Sequence, residues 1–340
     1  MSSESVAGGL SMYREIATEA LKTGETLQVI CVSPPDTTYQ DQVIPFLAHK
    51  PDNYRTHIEG AFAGECDDLE TRFYLGILDS QVVGNIMTVE SKGAGIFGHV
   101  FTAPEQRRKN ICQCIMQNQM EDFRQRGGQV LLLGTGYQSP AYRIYEANGF
   151  RDWKVGSPGT MRYDVGGEEG TEQFYFAPSV SRPMKAQWRH WSLVALLASI
   201  PSPAYLRSLT FGLRGVSLLE GPYCHFFHVY GTHPNAHAYV LESETGAVTA
   251  VATSVPDPRW DGVQLLDVFA HPTVQTDDVV RLLEAMPQMP GKTQCYADPQ
   301  DTVKIAALEK LGFQREAILS KQCRDKETWH DVWLFGRFES

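Results

Sequence analysis

The chain has 340 residues, of which 42% are hydrophobic and 21% charged, and its formal net charge is −10. This length exceeds that of one ordinary compact core, so we expect two domains in a globular protein. The acidic balance argues against a nucleic-acid partner, whose phosphates need a basic surface. Because the first residues lack a basic head and the longest apolar segment, 191–200, is about half a membrane span, we predict a cytoplasmic protein without membrane contact.

In chain order, the first hundred residues predict an opening helix and then two short helices between segments of strand. Apolar residues at helical spacing predict an opening helix over residues 10–21. A strand, two helices and an antiparallel meander of three strands should follow, over residues 27–33, 37–49, 53–65, 72–78, 82–90 and 95–102. The seven cysteines are an odd number without paired zinc-type spacing, so we expect neither a disulfide framework nor a metal site.

A basic stretch follows the third strand of the meander. Arg107, Arg108 and Lys109 come just before a helix predicted over residues 110–126. The first N–H groups of a helix lack partners within it, and they lie at the positive end of its dipole. The stretch therefore predicts a phosphate-binding turn, although it lacks the glycine patterns of ATP and dinucleotide folds. The alternative is a basic, solvated turn before an ordinary surface helix.

The remainder of the first half predicts a crossover and a second helix. The buried strand 129–133 follows the helix, and a helix over 139–148 ends at Gly149. The stretch 156–173 is rich in glycine and acidic residues, which predicts a flexible boundary, and part of it, residues 160–165, should form the last strand of the first domain.

Two of these stretches resemble motifs of the GNAT N-acetyltransferase superfamily. Residues 107–112, Arg-Arg-Lys-Asn-Ile-Cys, are similar to the acetyl-CoA signature Arg/Gln-x-x-Gly-x-Gly/Ala. Asn110 and Cys112 replace its glycines, and asparagine is the other residue that readily adopts a positive φ. Residues 142–150, Tyr-Arg-Ile-Tyr-Glu-Ala-Asn-Gly-Phe, resemble the second motif, Leu-Tyr-Glu-Lys-x-Gly-Phe. The resemblance implies a GNAT fold with acetyl-CoA as cosubstrate and no metal.

The resemblance also implies roles for individual residues. Tyr145 matches the residue that protonates the departing thiolate, and a phenol, with a pKa of about 10, can donate that proton; the alternative is a core tyrosine. Candidates for the general base are His99, which strand alternation turns away from the acceptor unless a bulge intervenes, and Glu90; a water chain is the third possibility. The residues that match cofactor-binding positions are Val100, Phe101, Thr102, Arg107, Arg108, Lys109, Asn110, Ile111, Cys112 and Gln138.

The second half of the chain repeats the plan of the first. Residues 100–104, Val-Phe-Thr-Ala-Pro, are echoed by 268–272, and 145–150 by 308–313. Residues 273–278, directly after Pro272, contain no arginine, lysine or glycine, and they include two aspartates where the first half is basic. In this half we expect a strand at 173–177, a helix at 185–199 and strands at 238–242, 247–254 and 263–269, whereas residues 222–237, rich in histidine, read as irregular strand and loop without zinc spacing.

These observations predict a mixed α/β protein of two tandem GNAT-like domains, each a mostly antiparallel sheet flanked by helices. Residues 1–165 would be catalytic, and residues 166–340 a degenerate copy that is structural or walls the acceptor cleft. The predicted function is direct transfer of an acetyl group from acetyl-CoA to the amine of a small molecule or peptide, by a monomer or homodimer. The alternatives are a non-catalytic tandem protein that binds CoA or a metabolite or scaffolds a partner, and transfer of a longer acyl group.

Overall fold

The computed structural model describes residues 13–153 and 159–339. The chain divides into two compact units, Met1–Val89 with Phe97–Arg126 and Glu90–Ile96 with Gly127–Ser340. Helices accompany mostly antiparallel sheets, as the predicted α/β class requires. The predicted division between residues 165 and 166 stays a prediction. Within the described residues, no helix is long and apolar enough to cross a membrane.

The first unit builds a series of neighbouring strands with helices on it. Strands β1 to β5 follow one another in the sheet, and β1–β2 and β2–β3 are antiparallel. The final residues of β4 and the first three of β5 belong to the second unit. The elements are β1 Tyr13–Ala20, β2 Thr26–Val32, α1 Gln40–Phe46, α2 Asp52–Phe62, β3 Glu70–Leu78, β4 Gln81–Ser91, β5 Ala94–Thr102 and α3 Ile111–Gln125.

The opening helix predicted over residues 10–21 is wrong: residues 13–20 form β1, while Leu10 lies outside the described residues. Glu15 pairs with Ile30 and Ala17 with Val29, so Ile16 is an extra residue in the ladder. Such a bulge breaks the two-residue alternation of a strand. The apolar positions of β1 consequently imitate helical spacing.

Two glycines allow α3 to lie close against the strands. A Cβ atom on Gly84 would be 2.7 Å from Ile115 Cδ1, and one on Gly76 would be 2.9 Å from the same atom. Glycine within a strand often marks such a close approach. The isoleucine face of α3 therefore rests directly on β3 and β4, and this packing positions the start of the helix.

The second unit begins with the rest of the first sheet. The start of β5 pairs in parallel with β6, β6 is antiparallel to β8, and β8 is antiparallel to β7. The predicted flexible boundary instead contains a helix, α5, whose Tyr175 donates a hydrogen bond to the Lys92 carbonyl at 2.8 Å; residues 156–158 of that prediction lie outside the described residues. The elements are β6 Val130–Gly134, α4 Pro140–Ala147, β7 Arg151–Asp152, β8 Thr160–Asp164 and α5 Gly167–Phe176.

The rest of the second unit contains a seven-stranded sheet, with strand order β16-β17-β15-β14-β13-β12-β9, and a separate two-stranded sheet, β10-β11. Its elements are β9 Ser181–Lys185, α6 Trp191–Ser199, β10 Leu206–Ser208, β11 Leu213–Arg214, α7 Gly221–Tyr230, β12 His237–Ser243, β13 Val248–Pro256, β14 Val263–Ala270, α8 Thr276–Glu284, β15 Gly291–Ala297, α9 Thr302–Lys310, β16 Gln314–Asp325 and β17 Thr328–Glu339.

Two sequence predictions fail at the start of this region. Residues 173–177 end α5 instead of forming a strand, and the first strand is β9. Of the segment expected to be irregular, residues 222–230 belong to α7, whereas residues 231–236 form a loop as predicted. Pro222 is compatible with the helix because it lies in the first turn, where its missing N–H has no helical partner to lose.

The two sheets share a strand order. In the first the order is β3-β4-β5-β6-β8-β7, and in the second it is β12-β13-β14-β15-β17-β16. In each series the third and fourth strands are parallel, joined through α3 or α8. This repeated connectivity is the one that the two sequence echoes anticipate, while a tandem duplication stays a proposal.

Candidate functional site

The turn between β5 and α3 combines a short helical turn with two residues in the left-handed region. One 3₁₀ turn, Pro104–Gln106, follows β5. Arg108 has a φ of 68° and Asn110, the N-cap of α3, has a φ of 79°. Asn110 stands where the GNAT signature has its first glycine, and it adopts a backbone conformation that glycine supplies most easily. The backbone of the turn therefore adopts a conformation typical of glycine at residue 110, although that residue is asparagine.

The three cations of the turn differ in their surroundings. The Arg107 Nε donates to the Thr102 carbonyl at 3.3 Å, and its guanidinium carbon lies 6.0 Å from the centre of the Phe101 ring. Lys109 pairs with Glu25 at 2.6 Å, and this hydrogen bond is the main cause that lowers the pKa of the Glu25 carboxyl. Arg108 is exposed and forms no hydrogen bond or ion pair within the described residues. Of the three cations, Arg108 is therefore the most accessible to an anionic ligand.

The first turn of α3 adds backbone donors without an opposing charge. The N–H groups of Ile111 and Cys112 have no acceptor within the helix, as for any helix start. Burial raises the pKa of the Cys112 thiol to about 11, so this side chain is neutral at neutral pH. An anion at the helix start would face the dipole and Arg108 without repulsion from a thiolate.

His99 interrupts β5 with a φ of 50°, which a regular strand does not contain. The argument from strand alternation, which turned His99 away from the acceptor, therefore does not apply. Its side chain is 7% exposed, and its ring meets the Tyr54 ring edge-on at 4.8 Å. Burial, followed by the charges of Lys50, His57 and His49, lowers the pKa of His99 to about 3. The imidazole is consequently neutral at neutral pH.

Aromatic rings of the α1–α2 segment cover the end of β5. The Phe101 ring contacts Phe46 at 5.0 Å and His49 at 4.3 Å between ring centres. The Asn85 side chain donates to the His99 carbonyl at 2.9 Å, which holds the interrupted strand in place. Sequence reasoning missed this cluster, because nothing in the spacing of α1 and α2 indicates which strand they cover.

The other candidate residues belong to the second unit. Tyr145 lies on α4, 7% exposed, with its ring 6.1 Å from that of Phe150, and Glu90 is 3% exposed near the end of β4. Gln138 is exposed with a φ of 56°, just before α4. Sequence reasoning also missed Tyr142, whose hydroxyl donates to Asp152 at 2.8 Å; that bond is the main cause that raises its pKa to about 12.

Among the residues that the structure describes, no group of three histidine, cysteine, aspartate or glutamate side chains could hold a metal ion.

Comparison with known proteins gives matches only among solved structures. No family model matches the sequence, and no curated protein matches it. An acetyltransferase of the GNAT family from Streptococcus pneumoniae is 15% identical over 46% of this chain and 98% of its own, with a TM-score of 0.38. A GNAT superfamily phosphinothricin acetyltransferase from Sinorhizobium meliloti, solved with acetyl-CoA, is 13% identical over 46% and 87%, with a TM-score of 0.38. A ribosomal-protein-alanine N-acetyltransferase from Brucella melitensis is 18% identical over 46% and 99%, with a TM-score of 0.36.

Proposed function

We propose that this protein is an acetyl-CoA-dependent N-acetyltransferase that transfers acetyl directly to the amine of a small molecule or peptide. The observation that carries the proposal is the turn before α3, where Asn110 takes a positive φ in a stretch that resembles the acetyl-CoA signature. The exposed Arg108 and the N–H groups at the start of α3 would hold the phosphates. The backbone of Val100 to Thr102 would pair with the arm of the cofactor and polarise its thioester carbonyl.

Tyr145 would protonate the departing CoA thiolate. The acceptor ammonium must also lose a proton before it attacks. An imidazole with a pKa of about 3 is a weak proton acceptor at neutral pH, so His99 is better suited to shape the aromatic cluster than to act as the base. Glu90 or a chain of water molecules would then accept the proton.

We also propose that the chain is a tandem of two GNAT-like halves, 1–165 and 166–340, of which only the first binds the cofactor. At the start of α8, Asp277 pairs with Lys310 at 2.7 Å and Asp278 with Arg281 at 2.5 Å, where the first half has cations. Leu308, which stands in the place of Tyr145, is fully buried in the core. These residues favour a structural role for the second half. The protein would act as a monomer or homodimer.

Thermal unfolding with and without acetyl-CoA tests the cofactor assignment. A ligand at 100 times its Kd stabilises a protein by about 2.7 kcal/mol, so the wild type should show a clear rise in Tm. Arg107→Ala combined with Arg108→Ala should abolish the rise. Arg124→Ala, which removes an exposed cation in the last turn of the same helix, should preserve it.

A rise that survives the double substitution would refute the cofactor site. If acetyl-CoA produces no rise in the wild type, the non-catalytic alternative is favoured. Where the rise is seen, release of free thiol should be measured with amines, amino acids, aminoglycosides and peptides as acceptors. Comparison of acetyl-CoA with longer acyl-CoA donors then identifies the acyl group.

A further inference from the structure

A cavity of about 150 Å³ lies within the second unit, where β14 ends and α9 begins. Phe269, Pro272 and Val303 form apolar parts of its wall, and Arg207 and Asp301 bring charges to it. A water molecule needs about 10–15 Å³ of such space, so the cavity has room for about ten non-hydrogen atoms. A small metabolite fits these dimensions.

Arg207 is a buried cation that forms no ion pair within the described residues, although the charge of Asp301 acts on it. The side chain is 1% exposed, and its Nη1 donates to the carbonyls of Ala198 at 2.7 Å and Ile200 at 3.0 Å. Its Nε has no hydrogen-bond partner within the described residues, and its partners there are all neutral carbonyls. Burial lowers the pKa of the guanidinium to about 10. An unpaired buried charge is costly, and an anion nearby would offset that cost.

Asp301 is an acidic residue in the wall of the same cavity. Its Oδ1 accepts from the Lys304 N–H at 3.1 Å as the N-cap of α9. The Lys304 ammonium is engaged elsewhere, with Asp267 at 2.9 Å. Within the described part of the chain, Asp301 forms no ion pair. Burial raises the pKa of its carboxyl, as expected for an anion that lacks a cation at contact distance.

The remaining titratable group in the wall carries no charge at neutral pH. His271 stacks on Phe176 with ring centres 4.2 Å apart, and its Nδ1 shares a hydrogen bond with the Thr273 hydroxyl at 2.8 Å. Burial, followed by the charge of Arg207, lowers the pKa of His271 to about 4. The cavity therefore presents one positive group, one negative group and an apolar surface, and neither charged group forms an ion pair within the described residues.

We propose that this cavity binds a free amino acid of small apolar side chain. The ligand carboxylate would face Arg207, its ammonium would face Asp301, and its side chain would lie on Phe269 and Val303. Arg207 and Asp301 attract each other without forming an ion pair within the described residues, and a bound zwitterion would give each an opposite charge at contact distance. The site lies in the half that lacks the basic turn, and it does not depend on the proposed acetyl transfer.

Calorimetric titration of the full chain without acetyl-CoA tests this proposal, first with L-leucine, L-valine and L-methionine. L-leucinamide lacks the carboxylate and N-acetyl-L-leucine lacks the ammonium. Each blocked compound should bind at least about tenfold more weakly than L-leucine, since each leaves one buried charge unpaired. Equal affinity for a blocked compound, or no binding of any of the three amino acids, would overturn the proposal.

Variants identify the cavity as the place of binding. Asp301→Asn keeps a good N-cap for α9 but removes the charge, and Ala270→Phe fills the cavity; both should weaken L-leucine binding at least about tenfold. Asp277→Asn, at the exposed start of α8, should leave it unchanged. The Arg107→Ala, Arg108→Ala variant should also bind L-leucine normally, which separates this site from the cofactor turn. Unchanged binding in both cavity variants would show that the amino acid binds elsewhere.

Discussion

Asn110 determines whether the turn before α3 can form, because its φ of 79° lies in the left-handed region. Glycine adopts this conformation without cost, whereas a β-branched residue there is strained by about 1–3 kcal/mol. We expect Asn110→Gly to retain the rise in Tm with acetyl-CoA. Asn110→Val should lower the free energy of unfolding by that amount in urea titrations and weaken the rise. Equal behaviour of the two variants would show that the backbone conformation of this residue does not matter.

Tyr145 is expected to act in the chemical step and not in cofactor binding. Tyr145→Phe removes only the hydroxyl, so turnover should fall by about 10²–10⁴-fold, the usual contribution of a general acid. The Kd for acetyl-CoA should stay close to that of the wild type. Tyr142→Phe is the matched control, because its hydroxyl is engaged with Asp152, and it should keep most of the turnover. Wild-type turnover in the Tyr145 variant would remove the proposed role.

Buried histidines should make the protein less stable in mild acid. The pKa is lowered to about 3 for His57 and His99 and to about 4 for His271, in each case chiefly by burial. Below the unfolded value of about 6.5, the unfolded chain binds protons that the folded chain does not, so stability falls as the pH decreases from about 6.5 toward 4. Well below pH 6.5, each histidine contributes a slope that approaches about 1.4 kcal/mol per pH unit.

Urea titrations at several pH values between 5 and 7.5 measure this slope. His99→Gln should make it shallower by about the contribution of one histidine. His225→Gln replaces an exposed histidine in α7 and controls for the substitution itself. A slope that His99→Gln does not change would mean that the His99 ring binds protons equally in the folded and unfolded protein.

The sequence identifies the residues that form the turn. It does not predict how the surrounding side chains are arranged in space. Arg107 to Cys112 are local, and the motif predicts both the turn and the helix that follows. The placement of His99 depends on a backbone break within β5, which no residue spacing reveals. The partner of Lys109 is Glu25, 84 positions away, and such a pair follows only from the packed fold.

At the scale of elements, α3 is held by its packing on the strands beneath it. A Cβ on Gly76 would come within 2.9 Å of Ile115 Cδ1, so Gly76→Ala should lower the free energy of unfolding by about 1–3 kcal/mol through overpacking. Ile115→Val removes that Cδ1 atom. The double variant should therefore lose less free energy of unfolding than the two single variants lose together. A double-mutant cycle in urea would measure this difference.

The control for this cycle is Gly170→Ala, because a Cβ there meets nothing within 4 Å and the φ is not positive. It should leave stability unchanged or raise it slightly. Strict additivity of Gly76→Ala and Ile115→Val would contradict the close approach of α3 to β3.

Element predictions succeeded where one pattern dominated a segment and failed where tertiary packing decided. The helix α3 and the strand β5 match their predicted ranges within a few residues. The bulge at Ile16 gives the apolar residues of β1 a helix-like spacing, so the sequence predicts a helix there. The register of an edge strand depends on its neighbour, and the sequence of β1 alone does not reveal it. Glycines and glutamates suggested a flexible segment where α5 forms, and Tyr175 of this helix is buried against residues that are distant in sequence.

At the scale of the whole molecule, the strand order that the two sheets share agrees with the two short sequence repeats. Two anchors, one at the end of β14 and one at the end of α9, coincide with the same points of the first series, β5 and α4. What the echoes could not show is the cavity between Arg207 and Asp301. Those residues are 94 positions apart, and neither belongs to a motif.

The contrast between the two helix starts predicts one acetyl-CoA for each chain. The N-cap of α8 is Gln275, which forms a capping box with Asp278, so the donors at this helix start are already engaged by side chains. Two aspartates would also repel phosphates there, whereas α3 starts beside cations. Calorimetric titration should therefore give a stoichiometry of one, and the Arg107→Ala, Arg108→Ala variant should bind none. A stoichiometry of two, or one remaining site in that variant, would show that the second half has kept a cofactor site despite its acidic helix start.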